Sequence, residues 1–396
     1  MHYKILKKAS VHDMLWYGIT LTIMIHERGC MNILVGMSGG VDSSVTALLL
    51  KQAGHNVIGA TMSIWGKTGV YKEIQEKINK LPKKTNHGAC FGPDEKEDIE
   101  AARKVCEQIG IPFYVFDCAK QYEEIVLENF KKEYLNGRTP NPCIWCNSLI
   151  KFDVLPHLAQ LNGIDFEKFA TGHYARVEEI GARFYLKRGI SPKKDQSYFL
   201  YRLKQDQLQR ILLPLGDFTK EEIRKIASDF GLQVADKPDS QDFYDGDYNE
   251  LLGVKDKIGN IVDRDGKILG THNGIWNYTI GQRKGLGVSS TEALYVVELK
   301  KDTNEVVVDF KDKTFRNKLV ATKMNWITFD CLNSPIHCFA KIRSSQEPQE
   351  VYITQMQNDK ITAEFVNMQK AVSPGQSIVL YQGDIVLGGG IIDEIL

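Results

Sequence analysis

Between Asn32 and about Ala235, short apolar runs alternate with longer stretches of helical period. The runs "NILVG", "NVIGATM", "PFYVFD" and "FEKFATG" read as apolar strands. Between them, "KEDIEAARKVCEQIG" and "YEEIVLENFKKEYL" repeat apolar positions every three or four residues, which predicts amphipathic helices. That alternation predicts an α/β domain with a doubly wound parallel sheet over residues 31–235. Val70 to Pro93, rich in lysine and without strand character, reads as an insertion in it. Residues 236–306 carry many glycines and short strand runs, a small middle module. From Val307 the runs "TKMNWITF", "IHCFAKIR", "EVYITQM", "KITAEFV" and "SIVLYQGDIVLGGGII" alternate at strand period, predicting an antiparallel β-barrel over 307–396.

Charge and cysteine usage narrow the partners. Fifty basic side chains balance fifty acidic ones, so a nucleic-acid partner requires a local basic face. Eight cysteines in 396 residues are too sparse for a disulfide scaffold and suit reduced thiols in the cytoplasm. The first thirty residues are unusual: "KILKKAS" precedes the apolar "MLWYGITLTIMI", which is too short to span a bilayer. Glu27 and Arg28 then replace the small residues of a cleavage site. The expectation is a dispensable extension over residues 1–30, a functional chain from Met31, and no membrane partner.

The strongest chemical signal is "NILVGMSGGVDSSVTALLLKQAG". It reads as a buried strand, a glycine turn and a helix from about Asp42 to Gln52. Gly39 and Gly40 let the backbone approach an anion closely. Ser38, Asp42, Ser43 and Ser44 stand beside free N–H groups at the positive end of the helix, which is phosphate-binding chemistry. The pattern is neither the P-loop nor the dinucleotide glycine fingerprint. A second signal is Cys143 and Cys146 in "NPCIWCNSLIKF". The spacing alone leaves a metal half-site, a redox pair and a sulfur-handling nucleophile open.

"SGGVDS" resembles the pyrophosphate (PP) loop of ATP pyrophosphatases, which activate a carbonyl as an adenylate. "GRTPNPCIWCNSLIKF", "ATGHYAR", "KKDQSYFLYRL", "LLPLGDFTKEEIR", "YTIGQRKGLG", "AKIRSSQEP" and "SPGQSIVLYQGDIVLGGG" follow in that order. Together they resemble the bacterial tRNA-specific 2-thiouridylases, from residue 31 to the end. The resemblance implies a PP-loop fold. It also implies adenylation of the carbon-2 carbonyl of the wobble uridine in tRNAs for Lys, Glu and Gln, followed by sulfur transfer. It implies ATP with Mg²⁺, and a sulfur donor such as a cysteine desulfurase or a relay protein. ATP contacts are implied at Gly36, Met37, Ser38, Gly39, Gly40, Val41, Asp42, Ser43, Met62 and Gly172. The base-binding turn would be Asn141, Pro142 and Cys143, with Cys146 as nucleophile. His173, Asp195, Gln196, Ser197, Arg343, Ser344 and Gln376 would meet tRNA.

Each assignment has a plainer competitor. An isolated histidine is more often structural, "DQS" alone is an ordinary polar turn, and scattered lysines usually solvate a surface. Two other functions use much of the same pattern: another ATP-dependent ligase on this fold, or a tRNA-binding protein without catalysis. Sulfur chemistry further requires an accessible cysteine of lowered pKa.

The chain also departs from the family it resembles. Most members carry a second catalytic cysteine in a segment like "DSTGICFIG"; here "PDSQDFYDGDY" puts Tyr244 at about that place. Tyrosine cannot carry transferable sulfur. Cys90 in "HGACFGPDEKEDI" is the candidate replacement, as a persulfide carrier or with Cys143 and Cys146 as ligands of a [4Fe-4S] cluster. Cys106 and Cys118 read as buried.

Overall fold

The computed structural model describes residues 29–65, 89–238, 243–244, 246–356 and 359–396. The expected N-terminal extension and most of the expected insertion therefore lie outside the described residues. The chain folds as two compact units, one running to Glu123 and resuming at Cys146–Gly246, the other comprising Glu124–Trp145 and Asp247–Leu396.

In the first unit β1 (Asn32–Gly36) leads through a turn into α1 (Val41–Gln52), followed by β2 (Asn56–Ser63), α2 (Glu95–Ile109) and β3 (Phe113–Asp117). After α3 (Leu155–Leu161) come β4 (Lys168–Ala170), the hairpin β5 (Ala175–Ile180) and β6 (Arg183–Arg188), β7 (Ile211–Leu212) and α4 (Lys220–Asp229). The sheet order is β3-β2-β1-β4-β7. All neighbours are parallel, with Ile33 opposite Val57 and Leu34 opposite Phe169. Ile33 and Val35 pack into a core with Val45 and Leu49 of α1, Val105 of α2, and Ile223 and Ile226 of α4. Leu34, pointing the other way along the strand, is equally buried, and α3 packs across β2 and β3. Side chains of this size contribute on the order of 2 kcal/mol each when fully buried. Helix α1 is buried nearly all round. Its buried Ser44 and Thr46 hydroxyls donate back to the carbonyls of Gly40 (2.8 Å) and Asp42 (2.9 Å), which satisfies them without solvent.

The doubly wound parallel sheet is thus the expected one, with two additions. The β5–β6 hairpin is antiparallel, its strand pattern hidden by the charges of "VEEI", exposed at the turn end of β5, and of "LKR" in β6. Strand β7 is two residues long, below what periodicity can register. The helix read over "YEEIVLENFKKEYL" is divided: Ala119–Tyr122 belongs to the first unit and Glu128–Leu135 to the second, around a wide π-turn at Glu123–Leu127.

The second unit holds a small sheet and a barrel. Strands β8 (Gly259–Val262), β9 (Ile268–His272), β10 (Tyr295–Lys300) and β11 (Glu305–Asp309) form the order β10-β11-β8-β9. Strands β12 (Phe315–Trp326), β13 (Ile336–Lys341), β14 (Gln349–Gln355), β15 (Ile361–Lys370), β16 (Ser377–Gln382) and β17 (Ile385–Ile395) follow in the order β12-β15-β14-β13-β16-β17. Antiparallel pairing of β12 with β17 closes the barrel. Its inward positions, among them Leu319, Val351, Phe365 and Leu380, form one core. In the same unit Phe130 and Tyr134 pack edge-on against Tyr248 at 5.2 and 5.8 Å. Among the described residues no helix is long and apolar enough to cross a membrane.

Candidate nucleotide and thiol site

The turn after β1 opens onto a cavity of about 380 Å³. Met37 N–H still reaches the Ala60 carbonyl (2.7 Å), so the chain leaves the sheet only at Ser38. Ser38 N–H then donates to Ser43 Oγ at 3.1 Å, folding the turn back over the helix. Gly39 has φ +72°, and a Cβ there would fall 2.2 Å from the Asp98 carbonyl, so glycine is required twice over. Gly40 is the extended N-cap, and no side chain caps α1. The first-turn N–H groups therefore point at the cavity, with the helix dipole behind them. Gly36, Met37, Ser38, Gly40, Val41, Asp42, Ser43, Met62 and Gly172 line it, and Gly39 shapes the turn.

What holds this loop was not legible in the sequence. Lys220 Nζ contacts both Asp42 carboxylate oxygens, at 2.8 and 2.9 Å, and Tyr174 donates its hydroxyl to the same carboxylate at 2.8 Å. Thr219 and Glu222 form a capping box that starts α4 and sets Lys220 in its first turn. A lysine at a helix N-terminus opposes the dipole, and that was the available signal that it had a partner elsewhere. Lys237 Nζ bridges the Gly39 carbonyl (3.1 Å) and Asp98 (2.5 Å). Gln196 exchanges two hydrogen bonds of 2.9 Å with the Tyr174 backbone, so "DQS" clamps "TGHY". Gly172 lies so close to α1 that a Cβ would sit 2.7 Å from the Asp42 carbonyl carbon.

Cys90, Lys151, His173 and Lys194 also line the cavity, as do the carboxylates Glu95 and Asp98. His173 Nδ1 lies 2.8 Å from Thr171 Oγ1, and burial, then the Lys151 charge, push its pKa well below the usual value. It is neutral at physiological pH. Cys90 is exposed as a residue, but its thiol faces the Phe243 carbonyl (3.8 Å); burial raises its pKa and Lys151 pulls it back. Cys146 departs from expectation. It is 7 % exposed and does not line the cavity, and burial lifts its thiol to about 12, with Lys151 opposing and Cys90 reinforcing the rise. An accessible thiol of lowered pKa is not what this structure holds at Cys146. Cys106 and Cys118 are buried, as expected.

Several expected tRNA contacts are committed internally. The Asp195 side chain is fully buried, paired with Arg188 Nε at 2.9 Å and accepting the Ser197 N–H at 3.0 Å, so it cannot present itself to RNA. Ser197 is likewise 0 % exposed. In the second unit Arg343 donates to the Ala371 carbonyl and Ser373 Oγ, and Ser344 is half-buried. Gln376 Nε2 donates to the Thr139 carbonyl at 2.9 Å, and Thr139 N–H to Pro374 at 2.8 Å, while Arg138 pairs with Glu133 and Asp393. These bonds fix the approach to Asn141, Pro142 and Cys143, which belong to this unit. Arg283 and Lys284 are exposed there. Among the described residues no three His, Cys, Asp or Glu side chains gather where they could hold a metal ion; of the expected cluster ligands, Cys90 and Cys146 belong to the first unit and Cys143 to the second.

Comparison with known proteins matches this architecture along the chain. Residues 31–244 match the family model described as tRNA methyl transferase HUP domain, 250–309 its PRC-barrel domain, and 316–392 an aminomethyltransferase beta-barrel domain. The tRNA-specific 2-thiouridylase MnmA of Endomicrobium trichonymphae is 46% identical over 366 residues, covering 91% of this chain and 99% of that protein. The protein of the same name from Clostridium botulinum (strain Alaska E43 / Type E3) is 44% identical over 371 residues, covering 92% and 98%. Among solved structures, the U34-tRNA thiolase NcsA from Methanococcus maripaludis with its [4Fe-4S] cluster aligns with TM-score 0.35 at 18% identity, over 61% of this chain and 72% of that one. That likeness is too distant to bear on the site. With a phosphate loop of this construction and full-length relatives at such identity, the chain belongs to the tRNA-specific 2-thiouridylase family.

Proposed function

We propose that this protein replaces oxygen by sulfur at carbon 2 of wobble uridine in tRNA, using ATP. One observation carries the reading: a phosphate loop and a cysteine thiol line the same cavity. A uracil carbonyl oxygen is a poor leaving group. It first attacks the α-phosphorus of ATP, pyrophosphate departs, and the oxygen later leaves with AMP when sulfur attacks carbon 2. The α1 N–H groups and Lys237 hold the phosphates, and Met62, at the end of β2, faces the base. Mg²⁺ bound together with the triphosphate would supply charge neutralisation there. His173 is neutral, so it donates or accepts a hydrogen bond to the base without adding charge. Cys146 is the nucleophile that frees the transferred sulfur from its carrier cysteine, and Asn141, Pro142 and Cys143 form the base-binding turn. A [4Fe-4S] cluster does not fit the described side chains, and no step is routed through one.

The division of labour we propose gives adenylation to residues 31–235 and RNA binding to 236–306 and 307–396, with Arg283, Lys284, Arg343, Ser344 and Gln376 on that side. The tRNAs are those for Lys, Glu and Gln. The sulfur comes from a cysteine desulfurase or a relay protein, and the compartment is the cytoplasm, where thiols stay reduced. The test combines protein, ATP, Mg²⁺, a persulfide donor and unmodified tRNA, with nucleosides read by mass spectrometry. The expected product is 2-thiouridine. Pyrophosphate release without tRNA would show a different ligase, and tRNA binding without thiolation a noncatalytic binder; either defeats the reading.

A further inference from the structure

Resting on that reading, we propose that Cys90 carries the transferable sulfur in this chain as a persulfide facing the nucleotide cavity, and that Cys146 resolves it, with Lys151 as counter-ion to both. Cys90 is the cysteine among the cavity-lining residues. Its loop is anchored: Phe91 is fully buried, stacks on Tyr122 (5.3 Å) and Phe243 (6.2 Å), meets Trp65 edge-on at 4.8 Å, and donates its N–H to the Phe243 carbonyl at 2.9 Å. Cys90 is thus pinned beside Phe243 and Tyr244. Tyr244 itself is buried against Phe91 and offers no sulfur.

The second observation is Lys151. It lines the cavity and makes no hydrogen bond or ion pair with another described residue. Its charge acts on Cys90, Cys146 and His173 together. The local helix explains how. Cys146–Val154 is wound as a π-helix. In an α-helix a residue five positions on lies about 140° round the axis, whereas the wider turn returns it near the starting face. Lys151 is the fifth residue after Cys146. An ammonium in the same cavity lining as Cys90 and on the same π-helix as Cys146 stabilises whichever thiol becomes the thiolate.

The chemistry balances as follows. The Cys90 thiolate attacks the outer sulfur of a donor persulfide, and the donor leaves as a thiolate. The terminal sulfur of Cys90–S–S⁻ attacks carbon 2 of the adenylated uridine, the C2–O bond breaks, and AMP takes the oxygen and the electron pair. The Cys146 thiolate then attacks the Cys90 sulfur, the S–S bond breaks, and 2-thiouridine departs. A Cys90–Cys146 disulfide remains, and an external dithiol returns the two electrons. Cys106 and Cys118 are buried off the cavity, and Cys30 and Cys331 are exposed but do not line it.

The experiment uses the full chain. After incubation with a ³⁴S-labelled persulfide donor and alkylation, peptide mass spectrometry should place the label on Cys90. A single turnover without reductant should then give a Cys90–Cys146 cross-linked peptide. Cys90→Ser should lower 2-thiouridine formation at least a hundredfold while tRNA-dependent pyrophosphate release continues. Label on another cysteine, or wild-type thiolation by Cys90→Ser, overturns the inference. If that variant does not fold, the labelling of the unaltered protein decides alone. Absence of 2-thiouridine from the unaltered protein would instead defeat the proposed function.

Discussion

Replacing Lys220 with methionine keeps the length of the side chain and removes its charge. Asp42 then loses an ammonium that contacts both of its oxygens, at 2.8 and 2.9 Å, and keeps only the Tyr174 hydroxyl. The lysine side chain is 8 % exposed and the aspartate 30 %. Breaking a fully buried pair costs about 3–5 kcal/mol because one charge stays behind uncompensated. Asp42 retains some solvent, so about 2–3 kcal/mol is expected for Lys220→Met. Asp42→Asn takes the carboxylate charge away from the more deeply buried Lys220 and is expected to cost about 3–4 kcal/mol. The double variant has no unpaired charge, so its cost should fall below the sum by at least about 1 kcal/mol. Urea unfolding measures all three. The same variants report on function, since Asp42 is the second residue of α1 and its backbone belongs to the phosphate turn: Lys220→Met should weaken ATP binding about tenfold or more. Strict additivity of the two single costs, with ATP affinity unchanged in Lys220→Met, would refute the idea that this pair sets the loop.

The remaining expectations concern the loop, the thiols and the second unit. Gly39→Ala should lower ATP affinity at least tenfold, because a Cβ would meet backbone 2.2 Å away; Gly181→Ala, at φ +64° in open space, should cost only about 1 kcal/mol and leave affinity unchanged. Isothermal titration with ATP separates the two. With its thiol pushed up to about 12, Cys146 in the resting protein should alkylate at pH 8 about a thousandfold more slowly than an unhindered thiol, with exposed Cys331 as the internal standard. The sign is that of a raised acid: the thiol stays protonated until pH approaches 12, and the stability gained by burying it neutral is present below the ordinary thiol pKa and lost as pH rises towards 12. Rapid alkylation of Cys146 at pH 8 would contradict its burial. Gln376→Ala removes the bond to the Thr139 carbonyl and should cost about 1 kcal/mol, seen as faster proteolysis or amide exchange around residues 138–141.

Sequence by itself determined the layers and the loop. The runs around Ile33 and Val57 are apolar enough to read as strands from the sequence, and the alternation with helical stretches carried the shorter runs around Tyr114 and Phe169; Gly39–Gly40 followed by Asp42 and Ser43 marked a tight turn into a helix through local geometry alone. Inward alternation along β12–β17 likewise announced a barrel. Tertiary structure decided what holds the loop and which thiol faces it. Lys220 lies 178 residues from Asp42 and Lys237 198 from Gly39, distances over which no periodicity speaks. Asp195 looked like a polar turn residue offered to RNA, yet its partners Arg188 and the Ser197 N–H consume it. Cys146 was read as an accessible nucleophile through the family resemblance; its burial follows from the packing of the π-helical segment Cys146–Val154, which residue order does not show.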